Sequence, residues 1–126
     1  MFQRLEDLEV YQLAEQLADD IWEIALAWDL FAKDTVGKQI VRAADSISVN
    51  LSEGYGRYSF KENIQFCYYA RGSLLETKNW VRRSQRRTLI ESEVCESLQE
   101  RIEVVGKKLN AFINSMKKQA SRPKNQ

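Results

Sequence analysis

Five positive charges fall within ten residues, Lys78, Arg82, Arg83, Arg86 and Arg87, with no acid between the first and the last. Guanidinium and ammonium groups at this density suit the holding of phosphate, because affinity for a polyanion grows with the number of charges neutralised and counterions released. Arg82 to Arg87 lie within about one and a half helical turns, so they can act together on one strand. On a single chain the same group also complements a helix dipole; repeated around an oligomer it becomes a ring of charge. Lys107 and Lys108, followed by Lys117, Lys118, Arg122 and Lys124, form a second basic run. On neighbouring antiparallel helices the two runs are expected at opposite ends. With no zinc motif and no aromatic sheet platform, contact with RNA or DNA is expected through the backbone and without sequence preference.

The remaining reactive side chains narrow the choice. No His occurs in the chain, which removes the usual near-neutral acid and base, the commonest metal ligand and the nucleophilic triads. Glu53, Arg57 and Glu76 could be drawn into a carboxylate site, but Arg and Glu on neighbouring helices more often fix packing as ion pairs. No catalytic residue, cofactor or metal is assigned, and the chain is not expected to be an enzyme. Cys67 and Cys95 stand 28 positions apart in apolar surroundings without a Cys-x-x-Cys pattern, which reads as two reduced core thiols. Glu6 and Asp7 fall where a signal peptide would be apolar, so the expected location is the cytoplasm, with no membrane partner.

The elements that carry these groups follow from the apolar spacing. The chain has 126 residues, 44% hydrophobic and 29% charged, with one Pro and 5 Gly. That is one domain, folded, and too poorly punctuated for many short strands. Val10, Ala14, Leu17, Ile21, Ala25 and Trp28 place a helix over about 8–28. Leu30 to Lys33 breaks the period, and Asp34 or Thr35 can cap a second helix over 36–53, with Val36, Ile40, Ala43, Ile47 and Leu51 inward. Gly54 and Gly56 end it through their freedom to adopt positive φ. Ser59 and Glu62 have capping-box spacing before a third helix, 60–86, carrying Ile64, Cys67, Tyr68, Leu74, Leu75 and Val81. Val94, Leu98, Ile102, Val105, Leu109, Phe112 and Met116 mark a fourth, 92–118, ahead of a polar tail, 119–126. Short links between four such helices make neighbours antiparallel, giving an all-α, up-down-up-down four-helix bundle over 1–118.

Two features suggest contact between copies. Gln39, Arg42, Ser46, Asn50 and Glu53 form a polar stripe on the second helix, and Ser and Asn are mediocre helix formers. On the third, Gly72 and Ser73 suit close backbone approach, either within the bundle or between subunits. Trp22, Trp28, Trp80, Phe66, Tyr68 and Tyr69 exceed what a thin bundle core encloses, so some are expected between subunits. Charge is sorted as well: residues 1–35 hold nine acids against Arg4 and Lys33, a net charge of −7, and residues 36–126 hold 17 bases against nine acids, +8. Such sorting serves antiparallel packing or an oppositely charged partner.

The segments Leu5-Glu6-Asp7-Leu8-Glu9-Val10-Tyr11 within Phe2 to Ala14, Gln39 to Ile47 running on to Asn50, Glu53-Gly54-Tyr55-Gly56-Arg57, and Phe66 with Ala70, Gly72-Ser73 and Glu76 together resemble the four-helix-bundle proteins encoded in intervening sequences of bacterial 23S ribosomal RNA genes. The match spans nearly the whole chain. That family is similar to the accessory variability determinant of diversity-generating retroelements, so the resemblance implies a homopentamer, nucleic-acid binding and a reverse transcriptase as partner. Arg42, Ser46, Asn50, Glu53, Arg57, Gly72, Ser73 and Glu76, with Gln39, are the expected interface. A nucleic-acid-associated oligomer is the leading expectation and a protein-binding scaffold or adaptor without nucleic-acid affinity is the alternative.

Overall fold

A computed structural model describes residues 3–122. Phe2 and Lys124, named above, and the last residues of the expected tail, 123–126, lie outside the described residues. Four long helices form the bundle: α1, Glu9–Leu26; α2, which starts at Leu30–Ala32, passes through a π-helical stretch at Lys33–Gly37 and continues as Lys38–Tyr55; α3, Phe60–Arg86; and α4, Ser92–Ala120. A 3₁₀ turn, Leu5–Asp7, leads into α1, and Gln12 Nε2 and Tyr55 Oη donate to the carbonyls of Glu6 and Gln3 to hold this entry segment down.

The inward stripe of α1 is the one its spacing predicts, Val10 through Trp28, and so is that of α2 from Val36 to Leu51. Two helices differ. In α3 the buried stripe is Cys67, Ala70, Leu74, Thr77, Val81 and Ser84, while Leu75 points outward and is 63% exposed. In α4, Ile113 is buried where Phe112 was expected, and Val94 is exposed. The core is thin and alanine-rich, with Ala14, Ala44 and Ala70 wholly enclosed beside Leu17, Ile47 and Leu109. Each helix packs on its chain neighbours and α4 closes against α1, so the α1–α2 face lies opposite the α3–α4 face.

The start of α2 departs from expectation. Asp29, not Asp34 or Thr35, is the cap: its Oδ1 accepts from the Ala32 N–H at 2.9 Å. Leu30 to Lys33 does not interrupt the helix; the break in period is the π stretch, where the Lys38 N–H reaches back five residues to the Lys33 carbonyl. At the other end α2 stops without left-handed glycine, since Gly56 has φ −80°. Among the described residues the only positive φ belongs to Thr88, at 58°. Ser59 caps α3 as its spacing predicts, its Oγ accepting from the Glu62 N–H, and α4 continues two residues into the expected tail.

Candidate nucleic-acid interface

The arginines occupy the end of α3, with Arg87 as its C-cap, and a defined backbone turn follows them. After α3, the Leu89 N–H donates to the Ser84 carbonyl at 2.8 Å and the Thr88 N–H to the Gln85 carbonyl at 3.1 Å. This is the Schellman arrangement, with a threonine at the left-handed position that glycine usually fills. A clasp holds the turn to the rest of the bundle: Trp28 Nε1 donates to the Leu89 carbonyl at 3.0 Å, joining the α1–α2 link to the α3–α4 link. Neither residue belongs to the basic run. The signal for the clasp was Trp28 itself, a core-stripe residue whose indole N–H needs a partner when buried.

On this support Arg83, Arg86 and Arg87 line a cavity of about 210 Å³. Arg83 lies over the Trp80 ring at 5.1 Å, and Arg82 Nη2 donates to Asn79 Oδ1 at 3.3 Å. No carboxylate pairs with any of the four among the described residues; Glu91 and Glu93 belong to the start of α4. A helix C-terminus carries about half a negative charge. Four guanidiniums therefore exceed what the dipole of α3 balances by roughly 3.5 charges. Lys78 is exposed one turn before them.

The second basic run is different. Lys107 and Lys108 fall midway along α4, not at its end, and both are engaged: Lys108 Nζ is 2.5 Å from Glu9 Oε1 and Lys107 Nζ 3.8 Å from Glu103 Oε1. Lys117 stands at the opposite end of the bundle from the arginines, over the Tyr68 ring that Arg71 also covers. Among the described residues the arginine run is thus the denser of the two basic groups, and none of its four guanidiniums has a carboxylate partner.

The expected interface residues share the outer side of α2 and α3, but their polarity is met locally. Ser46 Oγ donates to the Arg42 carbonyl at 2.7 Å and Asn50 Nδ2 to the Ser46 carbonyl at 2.8 Å. Gln39 and Glu76 are exposed and Ser73 is half-buried. Arg57 pairs with Glu53 at 3.7 Å and lies over Phe66 at 4.7 Å, and Glu76 has no part in that pair. Gly72 is not a close-approach residue inside the bundle, because a Cβ there would meet nothing within 4 Å. Gly54 is: a Cβ would come within 2.8 Å of Phe66 Cβ and 3.0 Å of the Asn63 carbonyl oxygen.

The apolar surface lies elsewhere. Leu30 and Phe31 are 80% and 79% exposed at the arginine-bearing end, and Trp22 and Leu26 border a cleft of about 210 Å³ with Val41. Their i, i+4 spacing, off the core stripe of α1, was the available signal. Beside them Asp45 is held above the usual carboxylate range by burial and then by Asp19. Both cysteines are free, and burial pushes the Cys67 thiol up to about 11, so it stays protonated at neutral pH.

Among the described residues no helix is long and apolar enough to cross a membrane. The model of the 23S rRNA-intervening sequence protein family matches residues 6–111. Among solved structures, the fold is similar to that of a protein of unknown function from the S23 ribosomal protein family of Bacteroides thetaiotaomicron VPI-5482, with a TM-score of 0.74 and 24% identity, covering 82% of this chain and 97% of that one. Curated proteins yield no match.

Proposed function

We propose that this chain, which belongs to the 23S rRNA-intervening sequence protein family, is a non-catalytic oligomer that binds the phosphate backbone of RNA or DNA at the arginine-bearing end of the bundle. The observation that carries the reading is the convergence of Arg83, Arg86 and Arg87 on one cavity with no carboxylate partner among the described residues. Each guanidinium can present two parallel N–H groups to a phosphate. Lys107 and Lys108, already paired, contribute less.

Self-assembly belongs to the same reading. The resemblance to the accessory variability determinant implies a homopentamer and a reverse transcriptase as protein partner, in the cytoplasm, and five copies would multiply the patch. The exposed Leu30 and Phe31 also suit a protein-binding adaptor, which the test separates. Wild type and an R83Q/R86Q/R87Q variant are titrated with unrelated duplexes and RNAs at rising salt. Wild-type affinity should fall by orders of magnitude between about 50 and 200 mM salt. The variant should bind all sequences more weakly by similar factors, with a salt slope shallower by about one per lost phosphate contact. Wild type that retains no nucleic acid at about 50 mM salt, or a variant that binds as well as wild type, leaves the adaptor.

A further inference from the structure

An aromatic ring stands beside the arginines, and phosphate binding alone gives it nothing to do. Leu30 and Phe31 open α2 at the arginine-bearing end, and Phe31 is 79% exposed. The Asp29 cap and the buried Ala32 anchor this first turn, so the ring rises from a fixed backbone while contributing little to the core. The Trp28–Leu89 hydrogen bond ties it to the arginines. Phe31 lies three residues beyond Trp28 and Arg87 two before Leu89, together roughly 18 Å of backbone at full extension.

The acids of this end do not cancel its bases. Asp34 pairs with Lys38 at 2.8 Å, and Asp29 is engaged as the cap. Glu23 in the last turn of α1, and Glu91 and Glu93 at the start of α4, form no ion pair among the described residues. Neither does Lys33, which is exposed two residues after Phe31 and also lines the Trp22–Leu26 cleft. Lys33 with Arg82, Arg83, Arg86 and Arg87 therefore outnumber these three acids five to three.

We infer that this end takes single-stranded nucleic acid, an unpaired base stacking on the Phe31 ring while Arg83, Arg86 and Arg87 hold phosphates of neighbouring nucleotides. The inference rests on the phosphate site proposed above and names the form of nucleic acid that site selects. Guanidiniums alone do not separate the forms, because duplex and single strand both offer phosphates. A ring does: a base face is free only in an unpaired strand, and stacking on an aromatic tolerates any sequence. The shape of the apolar surface chooses the occupant. Leu30 and Phe31 are consecutive, about 100° apart around the helix, so they form no i, i+4 stripe to receive an amphipathic helix. One exposed ring beside unpaired cations suits a base and its phosphates.

The test titrates the full chain with three probes of about 16 nucleotides: a single strand of thymidines, the same strand paired in a duplex, and a strand of abasic sugar phosphates. Wild type should bind the thymidine strand most tightly. Phe31→Ala should weaken that binding about 5- to 150-fold, the loss of one stacked base, with an unchanged salt slope because no charge is removed. Its affinity for the duplex and the abasic strand, its sedimenting mass and its urea midpoint should match wild type. Phe31→Trp, which keeps an aromatic face, should retain the preference. Wild type that binds none of the probes at about 50 mM salt removes the phosphate site and this inference together. Equal wild-type affinity for all three probes, or a Phe31→Ala variant that binds the thymidine strand undiminished, overturns stacking and leaves the phosphate site standing. So does Phe31→Trp that binds like Phe31→Ala. A Phe31→Ala loss of equal size on the abasic strand, or a lower sedimenting mass, makes Phe31 a protein contact and overturns stacking as well.

Discussion

The two ends of α3 are built to opposite specifications. At its start the helix is pressed into α2: Gly54 admits the Asn63 backbone and Phe66, Arg57 stacks on the Phe66 ring, and its charge is balanced by Glu53. At its finish Arg83, Arg86 and Arg87 stand without a carboxylate partner among the described residues, over a turn whose Thr88 has φ 58°. The first end spends its side chains on packing. The second keeps charge and backbone strain that packing alone does not require, and the proposed phosphate site rests on that contrast.

The largest expected effect tests the packed end. Gly54→Ala places a Cβ 2.6 Å from Asn63 Oδ1 and 3.0 Å from backbone, and should cost about 1 to 3 kcal/mol, read as a lower urea midpoint with an unchanged slope. A neutral result would mean that the α2–α3 seam gives way easily, and the contrast would weaken. At the other end, Thr88→Gly should stabilise by about 1 kcal/mol, because a β-branched residue is held where glycine sits without penalty. A variant that is less stable would show that the turn holds no strain. Gly72→Ala, on open surface between the ends, should raise stability by up to about 1 kcal/mol through helix propensity; a loss in the oligomer alone would place Gly72 at a subunit contact.

The smallest effect concerns pH. The folded state holds the Asp45 proton more tightly than the unfolded chain does, so ionised Asp45 lowers stability above its raised range and stops doing so as pH falls through it. Asp45→Asn should therefore raise the thermal midpoint slightly at pH 7, and the gain should shrink on acidification. A gain that does not change with pH would remove the carboxylate as its cause.

Much of the fold is written in periodicity. The α1 stripe, the α2 stripe beyond Val36 and the Ser59 cap are local patterns whose outcome depends on few neighbours, and each is found as spaced. Leu75 was legible only as an apolar residue next to Leu74; which of the two turns inward depends on where α2 and α4 lie. Gly54 and Gly72 look alike in sequence, and only the α2–α3 crossing separates them. The arginine cluster could be read at once, whereas its freedom from acids and the engagement of Lys107 and Lys108 depend on helix pairing over long sequence distances. The clasp from Trp28 to Leu89 spans 61 residues, so the sequence offers the indole N–H as a donor in need of a partner without indicating which carbonyl accepts it.

The π stretch at Lys33–Gly37 has a consequence for the chain's ancestry. With the Lys38 N–H bonded to Lys33 rather than to Asp34, this turn holds one residue more than an α-turn requires. Loss of one residue there, such as Asp34, would let the helix close as ordinary α-helix and leave Lys38–Tyr55 in register with α3. The same loss inside Lys38–Tyr55 would rotate the helix on one side of it by about 100° and turn its core stripe away from its neighbours. Insertions and deletions separating related sequences should therefore gather at this one address within α2, where lineages can differ in length without differing in fold.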